Sequence, residues 1–225
     1  SALTNNTTGT LNTAVGQSTL FSNTTASNNT AVGYNALNAN TTGTDNVAVG
    51  ALSLDANTTA TQNTAIGYQS LTSNTTGGQN TALGQAALYN NTTANNNTAV
   101  GKSALLSNTT GTQNTSVGSL ALQTITTSSA CAAFGYSALK LTTGGQNSGF
   151  GAYALSTNSS GQQNTAIGYQ ALRQATTADN NTSVGWRTMD ANTTGAENTA
   201  VGKGALFANT TADYNTAVGD QCLGS

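Results

Sequence analysis

Five aromatic side chains recur at one phase of this sequence: Tyr34, Tyr68, Tyr136, Tyr169 and Trp186, each directly after a glycine. An exposed row of rings at fixed spacing suits stacking on sugars, because each ring offers an apolar face with a polar edge. The same row could instead cover a corner of the fold or a seam between chains. Threonines keep their own rhythm, with Thr30, Thr64 and Thr81 at one phase and the pairs Thr41-Thr42 and Thr75-Thr76 at two others. A flat threonine array can order water at an ice surface, although threonine also simply suits strands and turns. One further phase carries Asn-x-Thr/Ser sequons, beginning at Asn6, Asn23, Asn40, Asn57, Asn74, Asn91, Asn108, Asn158, Asn192 and Asn209. In a glycosylating host they would carry a row of sugars; the plainer reading is a ladder of turn-forming asparagines.

Catalytic chemistry has little to draw on. The chain has no histidine, no clustered carboxylate pair and no Cys/His metal spacing, so neither a metal nor an acid–base centre is expected. Its glycines match neither a phosphate loop nor a dinucleotide fingerprint. The reading is of a protein that is not an enzyme and uses no cofactor. Cys131 and Cys222 are the two cysteines. They lie about five repeats apart, roughly 24 Å at ladder spacing, far beyond disulfide reach. Buried free thiols are expected, with a bridge between chains as the alternative.

All these residues hang on one frame of seventeen slots, written N-T-A-V-G-x-x-A-L-x-x-N-T-T-G/A-x-x, of which residues 29–45 are one copy. Thirteen copies are marked by the slot-five glycines Gly16, Gly33, Gly50, Gly67, Gly84, Gly101, Gly118, Gly135, Gly151, Gly168, Gly185, Gly202 and Gly219. Every step is 17 residues except the 16 between Gly135 and Gly151. Such a period is the signature of a solenoid or fibre. Slot four holds only Val, Ile, Leu or Phe, and slot nine only Leu or Met. Both are expected to face away from water, giving core ladders that include Val32, Leu37, Ile66, Leu71, Val100, Leu105, Ile167, Leu172, Val201 and Leu206. A glycine in every copy implies a corner with positive φ or a close backbone approach. Asn-Thr-Ala-Val reads as a short strand, the segment ending in Ala-Leu as a second, and Asn-Thr-Thr-Gly/Ala as a turn. Helix is disfavoured because Gly and Asn/Thr clusters interrupt it. The expected fold is all-β, a parallel solenoid (β-roll or β-prism) of about thirteen turns. Residues 1–225 form a single repeat solenoid, regular over 1–122 and 147–225, with an irregular joint over 123–146.

In the joint, Cys131 takes slot one, Phe134 slot four and Ile125 slot twelve, and the next copy is a residue short with Leu141 in place of the turn asparagine. The larger residues read as repacking around an altered turn, or as a kink between two rods. Ala175 is the main later departure at slot twelve. At slot fifteen Gly and Ala alternate from Gly9 and Ala26 to Gly111, then Ser128, and again from Gly161 to Ala212 with the phase slipping beside the short copy, which suggests a 34-residue double unit. Nothing in the residue types says why neighbouring turns should differ.

All twelve charges, five basic and seven acidic, fall in variable slots, as a solvated outer face requires. The net charge of −2 gives no basic footprint for nucleic acid. No apolar run approaches the roughly 18–20 residues of a membrane span. A chain that begins at Ser1 without Met or signal peptide is expected to be a processed form or an excerpt. Its ends carry no polar cap, so a piece of a longer rod, or stacking of ends into a filament, is expected. The two large side chains per turn contribute roughly 3–6 kcal/mol of burial, well short of the cost of ordering the turn. A homo-oligomer with Gly and Ala slots at the contact follows as the expectation.

Units such as residues 164–172, N-T-A-I-G-Y-Q-A-L, resemble the head repeats of trimeric autotransporter adhesins. They are closer still to the N-T-A-V-G-Y-x-A-L repeats of phage tail-fibre-like proteins that often precede an endosialidase-type chaperone domain. The resemblance covers essentially the whole chain. It implies a trimeric β-roll or β-prism serving as an extracellular rod or receptor-binding head, at a cell surface or on a virion. Two differences stand beside it: adhesin repeats are shorter than this one, and no anchor, stalk or chaperone domain lies within this chain. The functional expectation is a structural segment of an extracellular fibre whose partner is itself, as a homotrimer or an end-to-end filament. A glycan-binding adhesin acting through the aromatic row is the second reading, and an ice-binding solenoid the third.

Overall fold

The computed structural model describes residues 1–224 as an all-β parallel solenoid, one short strand per turn, with no helix. Two compact units divide it, residues 1–113 and 114–225. In the first, β1 (Thr13–Val15), β2 (Thr30–Val32), β3 (Val47–Val49), β4 (Thr64–Ile66), β5 (Thr81–Leu83) and β6 (Thr98–Val100) each pair in parallel with the next. In the second, β7 (Thr115–Val117), β8 (Ala132–Phe134), β9 (Ser148–Phe150), β10 (Thr165–Ile167), β11 (Thr182–Val184), β12 (Thr199–Val201) and β13 (Thr216–Val218) do the same. Register follows the repeat: Thr13, Ala14 and Val15 face Thr30, Ala31 and Val32.

Each strand occupies slots two to four and alternates about its central residue, so slot three points in and slots two and four point out. The buried interior is therefore Ala31, Ala48 or Ala65 at slot three, Ala36 or Ser53 at slot eight, and Leu37 or Leu54 at slot nine. This corrects the expectation for slot four. Ile66, Leu83, Phe134, Phe150, Ile167 and Val201 are 36–43% exposed, and Val32 and Val100 are half-buried. Leu37, Leu71, Leu105 and Leu172 are fully buried, and Leu206 nearly so.

The expected second strand is absent. Slots six to eleven form consecutive turns in which slots seven and nine both take left-handed φ, as at Asn35 (+54°) and Leu37 (+52°). That alternation turns successive amides toward opposite neighbours. Asn35 N–H donates to Gln17 O in the preceding turn, and Leu37 N–H to Ser53 O in the following one. The ladder thus continues through backbone that is not extended. At the corner, Gly33 has φ +137°, and a Cβ there would lie 2.6 Å from Gly50 O. Positive φ and close approach both demand glycine.

Asparagine supplies the rest of the interior. From Asn29 to Asn198 slot one is buried, and from Asn23 to Asn192 so is slot twelve. At slot one, Asn29 Oδ1 accepts the Asn46 N–H at 3.0 Å while its Nδ2 donates to Gly43 O at 2.9 Å, closing its own turn. At slot twelve, Asn40 Nδ2 donates to the same Gly43 carbonyl at 2.9 Å. The slot-twelve amides also chain along the ladder, and their spacing explains the 34-residue rhythm. Asn23, Asn57 and Asn91, each in an Ala copy, donate to the preceding Gly copy at 2.8 Å. Asn40 and Asn74, in Gly copies, reach the preceding Ala copy at 3.3 and 3.2 Å. Tight steps therefore run from a Gly copy to the Ala copy after it, where a Cβ on Gly43 would sit 2.2 Å from Ala60 O. Looser steps leave room for the alanine methyl.

The shortened copy also differs from expectation. Leu141 is exposed, and Thr142 takes the buried slot-twelve place, its Oγ1 accepting from Asn158 Nδ2 at 2.8 Å. Thr143 and Gly144 N–H both donate to Ser159 O, so the missing residue belongs to the Thr-Thr turn. Because slot four faces outward, Phe134 and Phe150 do not repack the core. They stack on the surface, ring centroids 4.9 Å apart.

Candidate functional site

Slot six follows the corner glycine, where the chain leaves the strand and enters the left-handed turns, and its side chains are carried outward. Tyr34, Tyr68, Tyr136, Tyr169 and Trp186 are accordingly 44–51% exposed. They do not form one cluster. Tyr34 and Tyr68 lie two copies apart in the first unit. In the second unit Tyr153, at slot seven, sits between Tyr136 and Tyr169 in edge-to-face contact with both, at 5.4 and 6.2 Å. Tyr153 escapes a reading by slot because the row changes slot at that copy.

The solvated-charge expectation fails at one place. Asp190 is buried although slot ten is variable, because two guanidiniums enclose it. Arg173 Nε donates to Oδ1 at 2.8 Å from the preceding copy, and Arg187 Nη2 donates to Oδ2 at 2.7 Å. A buried carboxylate held by two such charge-assisted contacts is a persistent arrangement. Arg187 also packs over the Trp186 ring at 5.2 Å and over Phe207 at 4.8 Å, and Lys203 lies 6.0 Å from the Trp186 centroid. These residues border a cleft of about 540 Å³. Sequence slots alone would not have found it, since Lys203 and Phe207 reach Trp186 and Arg187, and Arg173 reaches Asp190, only through stacking of turns.

The other candidates are placed as follows. Most sequon asparagines, from Asn23 to Asn192, are buried and hydrogen-bonded within the turns, which removes them as glycan acceptors in the folded chain; Asn6 and Asn209 remain accessible. At slot thirteen, Thr41 and Thr75 Oγ1 donate to the next turn's Thr58 and Thr92 carbonyls at 3.1 Å. The outward threonines are those of slots two and fourteen, such as Thr81 and Thr42. Cys131 is buried, with its thiol toward Gly144 O at 3.5 Å, and desolvation pushes its pKa up. Cys222 is half-buried. Asp55 is raised by burial, partly offset by the hydroxyl of Thr72 that donates to its carboxylate. Among the described residues no group of His, Cys, Asp and Glu could hold a metal ion, and no helix is long and apolar enough to cross a membrane.

No family model matches this chain, and no curated protein or solved structure is detectably similar to it. What it is therefore rests on the fold: a parallel β-solenoid of 17-residue turns.

Proposed function

We propose that this chain is a non-enzymatic structural segment of an extracellular fibre, at a cell surface or on a virion, that associates with copies of itself. The observation that carries the reading is the slot-four row. A solenoid that spends its asparagines and most backbone amides on neighbouring turns leaves an aliphatic and aromatic row facing out in each unit, with Val15, Ile66 and Leu83 in the first and Phe150, Ile167 and Val218 in the second. Apolar surface repeated at every turn is what a second copy with the same period would cover. The alanines of slots three and eight, such as Ala31 and Ala36, are buried within the chain, whereas the slot-five glycines beside the row, from Gly33 to Gly202, are half-buried, so the contact is assigned to slot four. The likeness of residues 164–172 to adhesin-head and tail-fibre-like repeats supports the same assignment and favours three chains.

Sedimentation equilibrium at nanomolar concentration, with negative-stain imaging, tests it. Rods or filaments of a discrete oligomer are expected, whereas a folded monomer at that dilution would refute the reading. A second reading, contact with a surface glycan, is supported by the exposure of the slot-six rings. Replacing Tyr34, Tyr68 and Tyr169 with Ser should then abolish glycan capture by that row.

A further inference from the structure

The cleft beside Trp186 goes beyond the fibre reading and rests in part on the glycan reading, which it makes specific. We propose that it is a binding site for a carboxylated saccharide, built from Trp186, Arg187, Lys203, Gly204, Phe207 and Gln221.

Charge gives the first argument. The three copies over residues 164–214 hold three of the five cations, Arg173, Arg187 and Lys203, and four of the seven acids; Asp179, Glu197 and Asp213 fall in slots sixteen and seventeen, and only Asp190 shares the slots six to ten that carry the cations. Asp190 neutralises one of the two guanidiniums that hold it, so the triad keeps one positive charge. Lys203 forms no ion pair among the described residues, and its ammonium lies 6.0 Å from the Trp186 centroid. Asp220, at slot six one copy further on, is the acidic group nearest along this row, and the sum of Arg173, Arg187, Lys203, Asp190 and Asp220 is still +1. An anion is therefore attracted to a place where aromatic walls lower the local dielectric.

Shape gives the second. Slot seven carries a side chain in every other copy, including Arg187 before this turn and Gln221 after it, all in left-handed backbone. Only Gly204 leaves that place empty: a Cβ there would meet nothing closer than Gln221 Cγ at 3.5 Å. The gap is one side chain wide, floored by glycine and bordered by Trp186 and Phe207. A pyranose ring fits such a setting, with apolar C–H groups against an aromatic surface, hydroxyls within reach of the Gln221 amide, and a carboxylate toward Lys203. A small inorganic anion would use the cations but neither the rings nor the gap.

Trp186 is the only tryptophan beside seven tyrosines, so fluorescence excited beyond the tyrosine absorption band reports this site alone. The probe is a panel of oligouronates, each compared with its neutral methyl ester and with acetate and sulfate. The free acids should perturb Trp186 emission saturably, with the esters and small ions weaker by about tenfold or more. Gly204→Gln fills the gap with a residue that slot seven already holds at Gln69, Gln170 and Gln221, so the fold is retained. It should abolish the response, and Lys203→Gln should weaken it about tenfold. Equal response to esters, or to acetate and sulfate, overturns the proposal, as does undiminished binding by Gly204→Gln or silence across the panel. The Tyr34, Tyr68 and Tyr169 triple serine variant separates the two readings. It should leave the Trp186 response intact even where capture on the tyrosine row is lost.

Discussion

Single positions in this repeat are constrained by what the adjacent turn presents to them. Gly33→Ala would place a methyl against the Gly50 carbonyl in backbone that side chains rarely adopt. Strain and overlap together should cost at least about 2 kcal/mol, read as a lowered denaturant midpoint. The cysteines differ by environment. Cys131 is buried with a raised pKa and Cys222 is half-buried. At pH 8 a small alkylating reagent should modify Cys222 readily and Cys131 only on unfolding, because the thiolate is the reactive form. Mass spectrometry of partly modified protein checks this. Asp55 titrates in the opposite sense to a salt-bridged carboxylate. Its folded pKa is raised, so the folded state binds its proton more tightly than the unfolded state. That contribution is fully present below the unfolded value of 3.8 and is lost as pH rises through the folded value. Asp55→Asn should accordingly be more stable than the parent at pH 7, with the advantage shrinking toward pH 3. Thermal melts across that range would show it.

At the scale of the turn, slot twelve works as a ladder only while each amide has another above it. Asn158 Oδ1 is buried without a hydrogen-bond partner, and the corresponding residue of the following copy is Ala175. Restoring the amide with Ala175→Asn should stabilise the chain by about 1–3 kcal/mol, the usual cost of a buried unpaired acceptor. Unchanged stability would mean that the acceptor is satisfied some other way. This ladder was only half legible in the residue types. Asn-Thr-Thr announced a turn, but an asparagine that bends a loop and one that hydrogen-bonds along a stack have the same letters. Slot one shows the loss more sharply: Asn29 and its equivalents read as the start of a strand, yet they close the interior. Leucine at slot nine was readable because no polar residue ever replaces it. Valine at slot four was misread on the same rule. Strand alternation places Ala31 inside and therefore Val32 outside, and an aliphatic residue kept at every turn need not be kept for its own core. The acidic–basic triad around Asp190 was only partly readable: Arg187 stands three residues before Asp190 in the same copy, but Arg173 comes from the preceding copy and meets it only once the turns are stacked.

For the molecule as a whole, the slot-four row decides between a bare solenoid and a subunit. In the first unit Val49, Ile66, Leu83 and Val100 stand on consecutive strands with their side chains outward. Threonine has the shape and strand preference to replace them without disturbing the ladder. Were the row bare to water, the fourfold threonine variant would keep both its stability and its sedimentation behaviour, since each exchange is nearly neutral at an exposed strand position. Were it covered by another copy, each exchange would forfeit apolar burial and leave a hydroxyl to be satisfied at about 1–2 kcal/mol apiece. Four such losses per copy should weaken association by at least about a thousandfold. The variant is therefore expected to sediment as a monomer at concentrations where the parent is assembled. Its melting temperature should also lose the concentration dependence that coupling to assembly imposes on the parent. A fourfold variant that assembles as tightly as the parent would place the seam elsewhere and leave the outward row without the role assigned to it.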